Sequence, residues 1–282
     1  MAATAIQPKE LEIQELKDLI WAHRRLEHPS FAARLSHVIG SPIEQGFKLL
    51  PKSWYQRLDA AVEISIRKSL DVAIGSMNHI TPKAAHVNFH KLMAVGAGAV
   101  GGFFGPITLL AELPIMTVLM LRAIADIADG EGEDMSQPEA KLACMEVFAL
   151  GGRSKEDDAA EAGYYSIRAM ISFHFSAPVI PVESSPAGLI PGGIELVRAI
   201  AARFGVVVQD TAAARMGPVA GAISGALLNL LFMNHFQDMA RGHFIVRRLE
   251  RKYGIEYIRK IYQRIGDKES EHDKVYSPLE GW

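Results

Sequence analysis

The chain has 282 residues, 49% of them hydrophobic and 22% charged, with 30 basic against 32 acidic side chains. This composition is typical of one globular domain, or at most two, and excludes a disordered chain. The single cysteine, Cys144, excludes an intramolecular disulfide and any multi-thiolate metal site. The balanced charge gives no reason to expect a nucleic acid partner, and the amino-terminal residues lack the order of a signal peptide. We therefore expect a cytoplasmic protein.

Helix signals recur along the chain, while alternating β-branched runs are nearly absent, so we predict an all-α, single multi-helix domain. An apolar stripe between Pro8 and Pro29 predicts the first helix. Ser136 and Glu139 form a capping box, and Gly205 and Gly254 stand where helices are expected to stop. We divide the chain into a helical extension (residues 1–40), the main all-α domain (41–265) and a polar tail (266–282).

Two segments without charge, Leu92 to Ala111 and Met216 to Gln237, predict a central pair of apolar helices. Small residues recur at every fourth position in both, and this glycine-zipper spacing allows two helix backbones to approach closely. The pair is expected to be a buried hairpin, with shallow membrane insertion as the alternative and full spanning as the least favoured one. The packing glycines are Gly98, Gly102, Gly217, Gly221 and Gly225.

A basic block follows the second apolar segment. Arg241 to Arg264 holds eight basic residues against two acids, a local net charge of +6. Such a helix is attracted to anionic lipid. The alternatives are a solvated face or pairing with the acidic stretch from Asp126 to Glu161, whose net charge is −8. The candidates for membrane contact are Arg247, Arg248, Arg251 and Lys252.

Three charged residues, Glu112, Arg122 and Glu146, are flanked by apolar sequence. Burial of an unpaired charge is costly, so we expect these residues to form an ion-pair network between helices, with a catalytic carboxylate as the less favoured alternative. His86 and His90 have the spacing of two metal ligands but lack the glutamate of the zinc-protease motif. We predict no metal site, no cofactor and no catalytic residue.

Four motifs stand out along the chain: Gly-Gly-Phe-Phe-Gly at 101–105, Ala-Glu-Leu-Pro at 111–114, Cys-Met-Glu-Val-Phe-Ala-Leu-Gly-Gly at 144–152, and a closing motif with His243-Phe244, Arg247-Arg248-Leu249-Glu250 and Tyr253-Gly254. Together they resemble the motifs of the EcsC protein family over roughly Ser41 to Tyr262.

This resemblance implies a bacterial helical protein with a role near membrane transport or secretion. Glu112, Arg122, Glu146 and His243 coincide with family motif positions, which makes them candidates for a shared polar centre. The expected function is that of a non-enzymatic accessory on the cytoplasmic face of the inner membrane, in contact with an anionic membrane surface or a membrane protein complex. The alternatives are a soluble enzyme, such as a hydrolase, with a pocket around Glu112 and Glu146, and a homo-oligomer formed through the glycine faces.

Overall fold

A computed structural model describes residues 10–27, 48–75, 106–152, 163–176, 191–216 and 225–276, together with Phe31, Leu35 and His37. These residues contain eight long helices and no strand, which confirms the all-α prediction. The helices are α1 (Ile13–Glu27), α2 (Lys52–Gly75), α3 (Pro106–Gly130), α4 (Pro138–Leu150), α5 (Tyr164–Ser176), α6 (Pro191–Met216), α7 (Gly225–Tyr253) and α8 (Ile255–Tyr276).

The short helix α4 lies at the centre of the domain. Every residue from Ala143 to Leu150 is buried, and α2, α3, α5, α6 and α7 all pack against this helix. A helix stretch that is apolar on all sides is stable only when other elements cover all of its sides, and the five helices around residues 143–150 of α4 provide this cover. Glu146 is the one charged residue in the buried run.

The longest helix, α7, connects this centre to the periphery. It packs against α1, α3 and α8 as well as α4. Helices α3 and α7 pack against each other, and each contains a described part of one charge-free segment. Leu109 and Phe236 are buried side chains of those parts. No helix among the described residues combines the length and the apolar character needed to cross a membrane.

The glycine-zipper prediction falls outside this description. Gly98, Gly102, Gly217 and Gly221 are not among the described residues, and Gly225 is only the first residue of α7. The packing of the glycine faces therefore stays a prediction.

Two predicted helix boundaries are wrong. The residue that caps α4 is Gln137 and not Ser136, and no side-chain hydrogen bond caps the helix. Ser136 instead donates from its backbone nitrogen and its hydroxyl to Asp134. Gly205 lies inside α6, because tertiary packing overrides the weak helix propensity of glycine. Gly254, in contrast, ends α7 with a φ of 93°, as the sequence predicts.

The carboxyl end of α4 lies directly against α6 and α7. Arg203 donates to the carbonyl of Ala149 over 2.9 Å, and His235 donates to the carbonyl of Gly151 over 2.7 Å. These bonds satisfy carbonyl groups that the helix leaves without an internal partner. A Cβ atom at Gly152 would lie 1.8 Å from the carbonyl oxygen of Arg203, so this crossing needs glycine.

Gly152→Ala is expected to lower the free energy of unfolding by roughly 1–3 kcal/mol or more, because the added methyl group meets backbone and not a flexible side chain. Gly205→Ala is the matched control. A Cβ at Gly205 meets nothing within 4 Å, so this change should raise stability by up to about 1 kcal/mol through helix propensity. Urea unfolding followed by circular dichroism measures both. Equal effects of the two changes would contradict the close crossing.

Candidate functional site: a buried polar centre and a basic cluster

The structure brings Glu146 of α4 and His243 of α7 together in the interior. Their Oε2 and Nε2 atoms are 3.4 Å apart, and the two residues are 5% and 0% exposed. Because both side chains are buried, bulk water has almost no access to either group. The two side chains therefore depend on each other and on their polar neighbours for stabilisation.

Tyr164 of α5 completes this contact from the other side of the imidazole. Its hydroxyl oxygen lies 2.9 Å from Nδ1 of His243, and Arg168 donates to the same oxygen over 3.1 Å. Nδ1 is the acceptor that the described contacts offer to the buried hydroxyl hydrogen of Tyr164, so we assign this hydrogen to Nδ1 and the ring hydrogen to Nε2, facing Glu146. Arg168, Tyr164, His243 and Glu146 thus form one ordered series of polar groups.

Glu250 neutralises the arginine at the start of this series. Arg168 lies 2.9 Å and 3.0 Å from the two carboxylate oxygens of Glu250, and Tyr165 donates to one of them over 3.0 Å. A buried carboxylate with several donors is far less costly than an isolated one. The polar centre, defined as Glu146, Tyr164, Arg168, His243 and Glu250, therefore joins α4, α5 and α7.

Burial shifts both members of the central contact towards their neutral forms. It raises the pKa of Glu146 to about 7, against the attraction of Arg168 and Arg247. It lowers the pKa of His243 well below 6.5, and the same two arginines lower it further. The contact between Glu146 and His243 is consequently not an ion pair between two fully charged groups.

The first part of α7's basic block forms a cluster with the loop between α3 and α4. Arg247 donates to both carboxylate oxygens of Glu133, over 2.7 Å and 3.0 Å, and Arg251 donates to the same carboxylate and to the carbonyl of Glu131. Burial opposes ionisation of Glu133, but these arginines outweigh it and hold the pKa of Glu133 below its usual value. A sharp turn at Gly132, with a φ of 81°, presents the loop to α7.

The rest of the basic cluster binds α1. Arg248 lies 2.9 Å from Asp18 and 3.3 Å from Glu131, and Lys252 lies 2.6 Å from Glu15. Each of the four predicted membrane-contact residues therefore has a carboxylate partner in its own chain. We call Arg247, Arg248, Arg251 and Lys252 the paired cluster.

Comparison with protein families assigns the chain to a known family. The model of the EcsC protein family matches residues 13–249. The chain belongs to the EcsC protein family. The match includes α1, which packs against α7 and α8. No curated protein and no solved structure matched the chain.

Of the four EcsC motif residues predicted to share a polar centre, the structure brings two together. Glu146 and His243 are in contact, whereas Arg122 is exposed on α3. Glu112 is half-buried on α3 and is not among the described partners of the polar centre. The two residues that meet come from the most buried stretches of their helices.

Sequence reasoning missed Arg168 and Glu250. Tyr164 and Arg168 stand four residues apart and therefore share one face of α5, a signal that was present in the sequence. Glu250 stands in the basic block and in the closing family motif, but nothing in its local sequence indicates that its partner is an arginine of α5. Among the described residues, no three His, Cys, Asp or Glu side chains converge as a metal site requires, and His86 and His90 lie outside them.

The free energy of unfolding of the Glu146→Gln variant should increase relative to that of the unchanged protein as the pH rises from about 4.5 to 7. The carboxyl group of Glu146 has a pKa of about 4.5 in the unfolded protein and about 7 in the folded protein. Ionisation therefore destabilises the folded protein progressively as the pH rises through this range. The difference should reach about 3 kcal/mol at neutral pH. Urea unfolding at several pH values measures it. The lowered pKa of His243 makes the free energy of unfolding rise with pH in both proteins, so this contribution cancels in the difference. A difference in free energy of unfolding that does not change with pH would contradict the raised pKa of Glu146.

Proposed function

We propose that this EcsC family protein is a non-enzymatic accessory that associates peripherally with the cytoplasmic face of the inner membrane, at an anionic lipid surface or a membrane transport or secretion complex. The observation that carries the proposal is a row of exposed cations on α8. Lys260, Arg264 and Lys268 follow one another at intervals of four residues, so they lie along one side of the helix. We call these three residues the α8 row.

The α8 row differs from the paired cluster in its partners. No ion pair within the described part of the chain involves Lys260, Arg264 or Lys268, whereas every member of the paired cluster contacts a carboxylate. A lipid phosphate would have to compete with Glu133, Asp18 or Glu15 for the paired cluster. The α8 row is open to a phosphate without this competition, so it is the stronger candidate for the contact.

The burial of the polar centre also supports a role without chemistry. Tyr164 and His243 have no exposed surface, and Glu146 is 5% exposed. A group that catalyses a reaction must touch the reacting atoms, and these three groups touch only other parts of the protein. The centre instead holds three helices together through groups whose hydrogen bonds need one relative position.

Replacement of Lys260, Arg264 and Lys268 by Gln is expected to weaken binding to vesicles that contain anionic lipid. At about 1 kcal/mol for each basic residue near the surface, the loss is on the order of 100-fold. Sedimentation with vesicles of mixed zwitterionic and anionic lipid measures it. Binding of the unchanged protein should also fall as salt is added, because the contact is electrostatic.

The matched control removes three exposed cations from another helix, with Arg57, Arg67 and Lys68 of α2 replaced by Gln. This variant has the same net charge and should bind as the unchanged protein does. Glutamine at Arg247, Arg248 and Arg251 tests the paired cluster, provided that unfolding is measured alongside. Vesicle binding that survives the α8 variant and added salt would contradict the proposal.

A second candidate function is a soluble enzyme that uses Glu146, and the raised pKa of this carboxyl favours it. A carboxyl group that titrates near neutral pH is suited to general acid or base catalysis. An opening motion would then have to expose the polar centre.

Glu146→Gln separates the two functions when it is introduced into the cells that naturally produce the protein. An accessory should retain its cellular role, since Gln keeps the shape of the side chain and the protein stays folded. Loss of the role with normal folding and normal vesicle binding would favour the enzyme.

A further inference from the structure

Helices α1 and α8 pack side by side and leave a groove with a cavity of about 480 Å³. Leu16 and Ile20 of α1 and Ile261 and Ile265 of α8 form its apolar lining. The volume falls within the range of about 300–1,000 Å³ that is typical of small-molecule sites. The groove lies apart from the polar centre, since none of the centre's residues lines it.

Charged side chains surround this apolar lining. Arg24 and Glu269 pair with each other over 2.6 Å, so together they contribute no net charge. Arg264 and Lys268 stand one turn apart and have no ion-pair partner among the described residues, and one further acid, Asp267, also lines the groove. The lining therefore has a net charge of +1.

We propose that this groove binds a free medium-chain fatty acid, with its alkyl chain along the four aliphatic side chains and its carboxylate at Arg264 and Lys268. Branched aliphatic residues on both walls offer dispersion contacts to a chain and no hydrogen-bond partner to a polar ligand. Two adjacent cations favour an anionic head, and a carboxylate accepts hydrogen bonds from both. The site goes beyond the proposed membrane contact, because it needs no bilayer.

The α8 row and the groove overlap only in part. Lys260 belongs to the α8 row but does not line the groove, whereas Leu16 lines the groove but carries no charge. Ile13 lies one turn before Leu16 on α1, is 78% exposed and is outside the lining. These residues provide matched controls for both parts of the ligand.

The test is calorimetric titration of the full chain with dodecanoate below its micelle concentration, with dodecyltrimethylammonium as the probe of opposite charge. We expect one site for dodecanoate and at least tenfold weaker binding of the cation. Leu16→Glu should weaken dodecanoate binding at least tenfold, and Ile13→Glu should leave it within twofold. Lys268→Gln should weaken it severalfold, and Lys260→Gln should not.

Leu16 is 39% exposed, so its replacement is not expected to unfold the domain, and circular dichroism checks this. Leu16→Trp, which fills the groove without adding charge, should also weaken dodecanoate binding at least tenfold. Absence of dodecanoate binding, or binding that is equal for the two probes or unchanged by both Leu16 variants, would overturn the proposal. Such a result leaves vesicle binding by the α8 row intact, so failure here is distinguishable from failure of the membrane contact.

Discussion

The rest of the structure depends on the complete enclosure of α4. From Ala143 to Leu150 this helix has no exposed face, and five other helices pack against it. The backbone just after its end lies against the backbone of α6 and the Phe236 side chain of α7. Enclosure forces Glu146 into the interior. Because desolvation of a carboxylate is costly, the neighbouring helices supply His243 and the charges of Arg168 and Arg247. The polar centre is thus a consequence of where α4 lies.

The basic and acidic parts of the chain meet for a related reason. Glu133 is buried at the turn before α4, and Arg247 and Arg251 of α7 hold it in its ionised form. The same helix binds α1 through Arg248 and Lys252. Charges that look like a lipid-binding patch in the sequence therefore hold the amino-terminal helix and the loop of Glu133 against α7. Lys260, Arg264 and Lys268, which have no such partner among the described residues, lie further along, on α8.

Patterns within a few residues of sequence predicted the features that depend on interactions between near neighbours in the chain. Periodicity predicted helices throughout, and Gly254 ends α7 because a left-handed residue there stops the helix and glycine adopts that conformation without strain. Gly205 and Ser136 show the limit of such signals. A glycine in a helix costs only about 1 kcal/mol, which burial of the rest of α6 outweighs. Asp134 competes for the hydroxyl of Ser136, so the predicted cap does not form.

The sequence by itself determined the all-α class, the family and the presence of charged residues within apolar stretches, because each depends on residue type and near neighbours. The tertiary structure decided which of those charges meet. Glu146 and His243 are 97 positions apart, and their contact depends on the packing of α4 against α7, which no local pattern encodes. Which carboxylates pair with the arginines and the lysine of the basic block depends likewise on where α1 and the loop of Glu133 lie. Electrostatic pairing needs distances of a few ångströms, and these distances are set by the packing of the whole core.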